Sequence, residues 1–293
     1  MPLEVHLVDG TWELFRHFFA VPPHRDAGGQ EVAAARGVLA SLLALLEGGA
    51  THVGVATDHV IESFRNALWP GYKTGEGIEP ALLSQFPLLE SGLEALGVAV
   101  FAMTEREADD GMASAAAVAA RDPRVARVLL CTPDKDLCQC VGGKVFQLDR
   151  RKNAILDAEA VREKFGVPPE SIPDYLALVG DSSDGYPGLP GFGAKGSAAL
   201  LARYGRIEAI PERAEDWGIR VRGAEKLARV LREQREQALL FKRLATLAPE
   251  PPVIESIDAL RWRGPRAELD ALCARISAPA VARRAHALAE QRS

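Results

Sequence analysis

The sequence predicts an α/β fold, a parallel sheet flanked by helices, followed by a C-terminal helical region. Short apolar runs typical of buried strands alternate with helical patterns through the first 184 residues, which is the pattern of a parallel α/β sheet. Several of these runs end in aspartate, and parallel α/β proteins form their working crevice beyond the carboxyl ends of the strands. After Gly185 the strand pattern stops and helical spacing continues.

The predicted elements follow one another closely along the chain. Strands are expected at residues 5–8, 53–57, 98–102 and 128–131, with a hairpin at 145–148 and 154–156. Helices are expected at residues 11–19, 32–46, 82–96, 111–120, from the N-cap Asp157 to 165, in a segment leading into Gly180, and at 188–202, 224–247 and 266–289. We therefore expect two domains, an α/β core at 1–184 and a helical region at 185–293.

The composition is that of an ordinary soluble globular protein, with 47% hydrophobic and 26% charged residues. The apolar runs are too short to span a membrane. The N-terminus carries Glu4 and has no basic region before a hydrophobic stretch, so we expect no signal peptide. The four cysteines, which do not form a metal-finger or disulfide pattern, are Cys131, Cys138, Cys140 and Cys273. We expect them to be reduced, most of them to fill the core, and the protein to be cytoplasmic.

Charge is distributed unevenly along the chain. Residues 1–184 hold 16 Lys/Arg against 27 Asp/Glu, whereas residues 185–293 hold 19 against 13. The acidic half is suited to collecting cations and the basic half to meeting phosphates. The two halves join within the segment GDSSDGYPGLPGFGAKG, residues 180–196.

Nine acidic residues occupy predicted strand ends or helix starts: Asp9, Asp58, Glu107, Asp109, Asp110, Asp134, Asp136, Asp181 and Asp184. For any one of them, a helix cap or a solvated loop is the simpler interpretation. Together in one crevice they would repel one another unless divalent cations neutralise them. Because the set has only oxygen ligands, it favours Mg²⁺ or Mn²⁺ over Zn²⁺.

The second half of the 180–196 segment is rich in glycine, with Gly188, Gly191 and Gly193 before Lys195. Glycines let backbone N–H groups approach a ligand closely, and a helix N-terminus favours an anion. We therefore expect a tight turn between two helices that contacts phosphate. An ordinary Gly/Pro turn is the alternative.

Five blocks, VHLVDGTWELFR, SFRNALWPGYK, READDGMAS, TPDKDLCQ and GDSSDGYPGLPGFGAKG, together resemble the 5′-nucleases. That family includes flap endonucleases, phage 5′-exonucleases and the 5′-nuclease domain of bacterial DNA polymerase I. The resemblance covers residues 4–245 and implies a PIN-like core. It also implies a metal-dependent phosphodiesterase acting on DNA with free 5′ ends or flaps, and on RNA–DNA hybrids. We expect a stand-alone enzyme, since the chain has no room for a polymerase, and we expect it to be monomeric.

The resemblance also implies roles for single residues. It assigns one metal to Asp9, Asp58, Glu107 and Asp109, and a second to Asp134, Asp136 and Asp181, with Asp110 and Asp184 in support. It places Arg65 and Lys73 at the scissile phosphate. The turn at residues 188–195 matches a helix–two-turn–helix that holds duplex backbone, and K⁺ in the family. Tyr72 is interpreted either as a base-stacking residue or as a buried hinge aromatic.

The sequence departs from the family pattern at two places. Glu76 stands where the family commonly has arginine, and the stretch from Thr74 to Glu94 has no Lys or Arg, so the expected helical arch is acidic. Gly185 replaces a common asparagine. Two alternatives remain at this point: a PIN-domain ribonuclease, and a non-catalytic DNA-binding protein of the same fold.

Overall fold

A computed structural model describes residues 3–292 of the chain. The strands are β1 (Leu3–Asp9), β2 (His52–Asp58), β3 (Ala99–Met103), β4 (Val125–Cys131), β5 (Val145–Asp149) and β6 (Ala154–Leu156). The α-helices are α1 (Gly10–Ala20), α2 (Ala33–Glu47), α3 (Phe64–Leu68), α4 (Pro80–Leu83), α5 (Gln85–Leu96), α6 (Ala108–Arg121), α7 (Ala158–Phe165), α8 (Ile172–Val179), α9 (Ala194–Tyr204), α10 (Ala224–Glu233), α11 (Arg235–Ala245), α12 (Leu269–Arg275) and α13 (Pro279–Arg292).

The chain forms two compact units. The first comprises Met1–Ile61, Gly75–Thr132 and Pro249–Ser293, and the second comprises Glu62–Thr74 and Pro133–Ala248. These units are defined by contacts, whereas the predicted division at 184/185 follows the change in charge and in element type. That predicted division stays a prediction.

The first unit is built on four parallel strands in the order β3-β2-β1-β4. Helix α2 packs against α1, α5 and α13, and α6 packs against β4 and β1. The predicted parallel sheet flanked by helices is therefore confirmed. Because all four strands run the same way, their carboxyl ends lie at one edge, where β1 and β2 both finish in aspartate.

Helix α2 shows why the helical pattern was readable from the sequence. Leu39, Leu42, Leu43 and Leu46 follow the spacing of one helical face, and all four are fully buried. Burying each such side chain contributes about 1.5–3 kcal/mol relative to exposure. This face, packed against its neighbours, fixes the helix over the sheet.

The second unit carries the β5–β6 antiparallel hairpin and helices α3 and α7 to α11. Helix α8 packs against α9 and α11, over a core that includes the fully buried Trp217 and Phe241. The predicted N-cap of α7 is confirmed, since Asp157 Oδ1 accepts a hydrogen bond of 2.9 Å from the Ala160 N–H. Among the described residues after Gly185, the chain has helices and no β-strand, as predicted.

Three predicted helices differ from the structure, one in where it begins and two in being interrupted. The helix expected at 188–202 begins only at Ala194, because Gly188 and Gly191 have φ of 69° and 86°, outside the helical range. The helix expected at 224–247 is interrupted at Gln234, which has φ −119°. The helix expected at 266–289 is interrupted by Ser277, with φ 57°.

The structure also bears on the compositional predictions. No helix within residues 3–292 is long and apolar enough to cross a membrane. All four cysteines are free thiols, and three of them, Cys131, Cys138 and Cys273, are buried. The prediction that most cysteines fill the core without disulfides is thus confirmed.

Candidate metal and nucleic-acid sites

The first acidic group lies at the carboxyl edge of the sheet in the first unit. Asp9 and Asp58 end two adjacent parallel strands, β1 and β2. Asp9 is 5% exposed; its Oδ1 accepts from the Trp12 N–H at 2.8 Å and caps α1. Its Oδ2 accepts from the Thr132 hydroxyl at 2.9 Å. Asp9 is therefore a helix cap with a fixed orientation.

The start of α6 adds three more carboxylates to this edge. Glu107 and Asp110 form a capping box, in which Asp110 Oδ2 accepts from the Glu107 N–H at 3.0 Å. Asp58 Oδ1 accepts from the Ala108 N–H at 2.8 Å, which ties the end of β2 to this helix. Glu107 and Asp110 are buried, whereas Asp109 is partly exposed. The hydrogen bonds at the helix start occupy some of the carboxylate oxygens, and the other oxygens could still bind a metal. The predicted metal roles of these residues therefore stay predictions.

The second acidic group lies in the second unit and forms a tighter cluster. One carboxylate oxygen from each of Asp136, Asp181 and Asp184 lies within 4.8 Å of the others, and all three residues are buried; we call this set the acidic triad. Asp134 is not a member. Its Oδ1 accepts from the Asp136 N–H at 2.8 Å, and its carbonyl oxygen accepts from the Gln147 amide.

A short turn positions two members of the triad. Asp181 and Tyr186 exchange backbone hydrogen bonds of 2.8 and 3.0 Å, and Asp184 lies between them. Gly185 has φ 82°, and a Cβ there would overlap the carbonyl oxygen of Gly71. Glycine at position 185, a departure from the family pattern, is therefore required by this backbone.

Two lysines neutralise part of the triad. Lys73 Nζ lies 3.0 Å from Asp184 Oδ1, and Lys135 Nζ lies 2.6 Å from Asp181 Oδ2. Burial lowers the pKa of Lys135, but its hydrogen bond and charge interaction with Asp181 outweigh this and raise the pKa above its ordinary value. Lys135 is not among the site residues predicted from the sequence. Its position between two predicted ligands was the signal that could have identified it.

Asp136 has no comparable partner. Burial raises the pKa of Asp136 well above its ordinary value, and the surrounding carboxylates add to the rise. Its Oδ1 is buried without a hydrogen-bond partner among the described residues. Three clustered oxygen donors with an unsatisfied buried acceptor fit a hard divalent cation such as Mg²⁺ or Mn²⁺.

Two further residues of the predicted site, Arg65 and Tyr72, lie inside the second unit; Arg65 is predicted at the scissile phosphate, and Tyr72 either as a base-stacking residue or as a buried aromatic. Arg65 is 1% exposed; it donates to the carbonyl oxygens of Leu244 at 2.8 Å and Thr246 at 3.1 Å. These bonds give Arg65 a structural role, and its role at the phosphate stays a prediction. Tyr72 is 4% exposed in the core, which favours its interpretation as a buried aromatic.

The glycine turn connects α8 to α9 as predicted. The Leu189 N–H donates to the Leu178 carbonyl at 2.9 Å, and a Cβ on Gly188 would overlap the backbone at Gly180. Gly193 is the N-cap of α9 and provides no side-chain cap. Lys195, in the first turn of α9, is exposed. The first backbone N–H groups of α9 are thus available to an anion.

Further cations surround this turn. A Cβ on Gly191 would lie 3.5 Å from Leu227 Cδ2, and one on Gly196 would lie 3.6 Å from Val221 Cγ1, so the start of α10 packs beside the turn. The exposed cations of this surface, which we call the basic strip, are Lys195, Arg220, Arg222 and Lys226. Within residues 3–292 none of the four forms an ion pair. Of these four cations only Lys195 was predicted from the sequence, although the excess of Lys and Arg after residue 184 indicated this half of the chain.

The predicted acidic arch is largely a packed element of the first unit. Helix α5 is buried along most of its length, and Glu90 on it accepts a hydrogen bond of 2.7 Å from the Thr57 hydroxyl. Glu90 also lies 2.8 Å from the His59 ring. Glu90 therefore does not belong to an exposed acidic surface. Glu76 and Glu79 are exposed, in and after the turn that precedes α4.

Family models match nearly the whole chain. The model described as 5′-3′ exonuclease, N-terminal resolvase-like domain, matches residues 4–166. The model described as 5′-3′ exonuclease, C-terminal SAM fold, matches residues 167–268. DNA polymerase I of Bacillus caldotenax is 35% identical over 271 residues, covering 90% of this chain and 30% of that protein. The chain thus spans about 30% of the length of this curated relative.

Solved structures share the fold at low identity. T5 5′-exonuclease with bound divalent zinc ions superposes with a TM-score of 0.64 at 20% identity, covering 98% of both chains. Flap endonuclease-1 from Methanococcus jannaschii gives a TM-score of 0.60 at 15% identity, covering 100% of this chain and 94% of the other. These likenesses establish the fold.

Proposed function

The chain belongs to the 5′-3′ exonuclease family, and we propose that it is a phosphodiester hydrolase that cleaves DNA near free 5′ ends or flaps with Mg²⁺ or Mn²⁺. The observation that carries this proposal is the acidic triad, with its buried, unsatisfied Asp136 oxygen. Because family models for 5′-3′ exonucleases match residues 4–268, we set aside the alternative that the chain is a PIN-domain ribonuclease. A non-catalytic DNA-binding protein of this fold would be expected to have lost metal ligands. All nine acidic residues that match the family's metal-site positions are present in this chain, which argues against that alternative.

The residues of the second unit have separable tasks in this proposal. Asp136, Asp181 and Asp184 would hold the cation, which when bound would supply Lewis-acid stabilisation of the phosphate and activate a water. Lys73 lies next to the triad and is partly exposed. Its ammonium group is placed to offset negative charge on a phosphate there. The predicted set Asp9, Asp58, Glu107 and Asp109 is proposed for a further cation on the same chemical grounds.

Duplex binding is assigned to the glycine turn and the basic strip. The uncapped start of α9 offers N–H donors, and Lys195, Arg222 and their neighbours are exposed without ion pairs among the described residues. Contacts of this kind go to the phosphate backbone and carry no sequence information. We therefore propose recognition of DNA structure rather than of base sequence.

Four finer parts of the proposal have narrower support. A K⁺ ion at the turn is supported by Ser197, whose hydroxyl is buried and without a partner one turn into α9. A cytoplasmic location is consistent with the four free cysteines. Activity on RNA–DNA hybrids and a monomeric state rest on the sequence resemblance alone. Potassium dependence of duplex binding, hybrid cleavage and sedimentation would test them.

The decisive experiment is cleavage of a labelled 5′-flap duplex with Mg²⁺, with Mn²⁺ and in chelator. We expect metal-dependent cut products near the flap junction. A structured RNA of equal length serves as the control substrate. If neither metal supports cleavage of flap, nicked or recessed 5′ substrates, or if only the RNA is cut, the proposed function is wrong.

A further inference from the structure

Tyr186 carries a buried hydroxyl that nothing in its surroundings explains. The side chain is 1% exposed, and its hydroxyl has no hydrogen-bond partner among the described residues. Its backbone is tied to Asp181 by two hydrogen bonds, so it belongs to the turn that carries two members of the acidic triad. An unsatisfied buried hydroxyl destabilises the folded state, and phenylalanine at this position would avoid that cost.

The acidic triad also contains a buried oxygen without a hydrogen-bond partner among the described residues. The Tyr186 ring stacks on Phe241, with centroids 5.5 Å apart, which fixes the direction of the side chain. Asp181, to which the backbone of Tyr186 is bonded, is a member of the acidic triad together with Asp136. Asp136 Oδ1 is likewise buried without a partner.

Asp136 also differs from the other two members of the triad. Asp181 and Asp184 each pair with a lysine, whereas Asp136 forms no ion pair within residues 3–292. A third lysine would compete with a cation for this carboxylate. A neutral hydroxyl instead donates one hydrogen bond and adds no charge. Hydrogen bonds of this kind orient the ligands of metal sites and strengthen binding.

We propose that Tyr186 is a positioning residue of the metal site, whose hydroxyl donates a hydrogen bond to Asp136 once a divalent cation occupies the acidic triad. This inference rests on the proposed function, since it requires that the triad binds a cation. Tyr186 does not contact the reacting atoms in this account. It acts through Asp136, by holding the carboxylate in the orientation that binds the cation.

The test is Tyr186→Phe, which removes the hydroxyl and keeps the ring that stacks on Phe241. Mn²⁺ binding to the full chain without DNA is measured by calorimetry. We expect the Mn²⁺ dissociation constant to rise about tenfold. In chelator we expect the melting temperature to stay equal or to rise, because the variant no longer buries an unsatisfied hydroxyl.

The matched control is Tyr175→Phe, at a tyrosine that is 8% exposed in the same core. It should leave Mn²⁺ affinity unchanged. A second check is the double variant Tyr186→Phe/Asp136→Asn. We expect it to bind Mn²⁺ no more weakly than Asp136→Asn alone, because the hydroxyl acts only through that carboxylate.

Two results would overturn the inference. Unchanged Mn²⁺ affinity in Tyr186→Phe would show that the hydroxyl does not serve the metal site. A double variant that binds Mn²⁺ more weakly than Asp136→Asn alone would show that the hydroxyl does not act through that carboxylate. Either result, with metal-dependent flap cleavage by the wild type, would leave the proposed nuclease function intact. Absence of that cleavage in the wild type would be a failure of the proposed function instead.

Discussion

The negative charges of the two acidic groups are compensated by different partners. In the first unit, Asp9, Asp58 and Asp110 accept hydrogen bonds from backbone N–H groups at helix starts. In the second unit, Asp181 and Asp184 are balanced by lysine side chains, and Asp136 keeps an unsatisfied oxygen. Backbone donors are permanent, whereas lysine side chains can move. The hydrogen bonds of the first group are thus part of the fold itself, whereas the charge balance of the second group depends on which cation lies beside its carboxylates.

The cations of the second unit show a parallel contrast. Lys73 and Lys135 are already paired with carboxylates, whereas Lys195 and Arg222 in the basic strip have no ion pair among the described residues. Cations that have no internal partner are the ones whose charge is available to a phosphate backbone. The four predictions below test these contrasts.

The largest effect is expected from Asp181→Asn. Loss of a charged ligand from the acidic triad should lower the Mg²⁺-dependent cleavage rate about 1,000-fold, corresponding to roughly 4 kcal/mol of transition-state stabilisation. Flap affinity in chelator should change little, because binding comes mainly from phosphate contacts elsewhere. Single-turnover cleavage and fluorescence anisotropy measure the two quantities. Asp157→Asn, at an exposed N-cap, is the control and should cleave normally. A rate within tenfold of wild type would remove Asp181 from the metal site.

The second prediction compares the two acidic groups directly by their thermal stability in chelator. Asp110→Ala should lower stability by about 1 kcal/mol because a capping hydrogen bond is lost. Asp136→Asn should instead raise the melting temperature, because it removes one buried like charge. Mg²⁺ should then stabilise the wild type more than Asp136→Asn. Asp157→Ala is the control for a helix cap that belongs to neither acidic group. If Asp136→Asn melts lower than wild type in chelator, Asp136 is a structural residue like Asp110.

The third prediction concerns the basic strip. Lys195→Ala and Arg222→Ala should each reduce the salt dependence of duplex binding by roughly one unit of slope, equally for duplexes of different sequence. Arg213→Ala is the control, because Arg213 is paired with Glu215 and Asp216 and its charge is already balanced. Titrations at several salt concentrations measure the slope. A base-sequence-dependent loss, or an equal change in Arg213→Ala, would show that the strip is not a backbone contact.

Local patterns explain what the sequence could predict. Buried strands ending in aspartate and helices with an apolar face are encoded by neighbouring residues, so the sheet, Asp9 and Asp58 were predictable. Whether Asp134 or Asp136 turns into the triad depends on tertiary packing, which spacing does not determine. The pairing of Lys135 with Asp181 joins residues 46 positions apart in the chain. The nearness of Arg222 to the glycine turn likewise depends on Leu227 packing under Gly191.

The smallest expected effect belongs to Glu76, the exposed acidic residue at the position where the family commonly has arginine. A single-stranded 5′ flap that passes this turn on its way to Lys73 would meet a like charge. Such an encounter costs on the order of 1 kcal/mol at low salt and less when salt screens it. Glu76→Arg reverses the charge, so we expect flap cleavage to become several-fold faster at low salt, corresponding to about 1 kcal/mol. Nicked duplexes, which carry no free strand, should gain less.

Glu94→Arg, an equal charge change at an exposed position on α5, is the control for long-range attraction of DNA. If both variants accelerate cleavage equally on all substrates, the gain reflects net charge alone. If Glu76→Arg accelerates nothing, the turn that carries Glu76 lies away from the path of the strand, and the altered residue has no part in substrate choice.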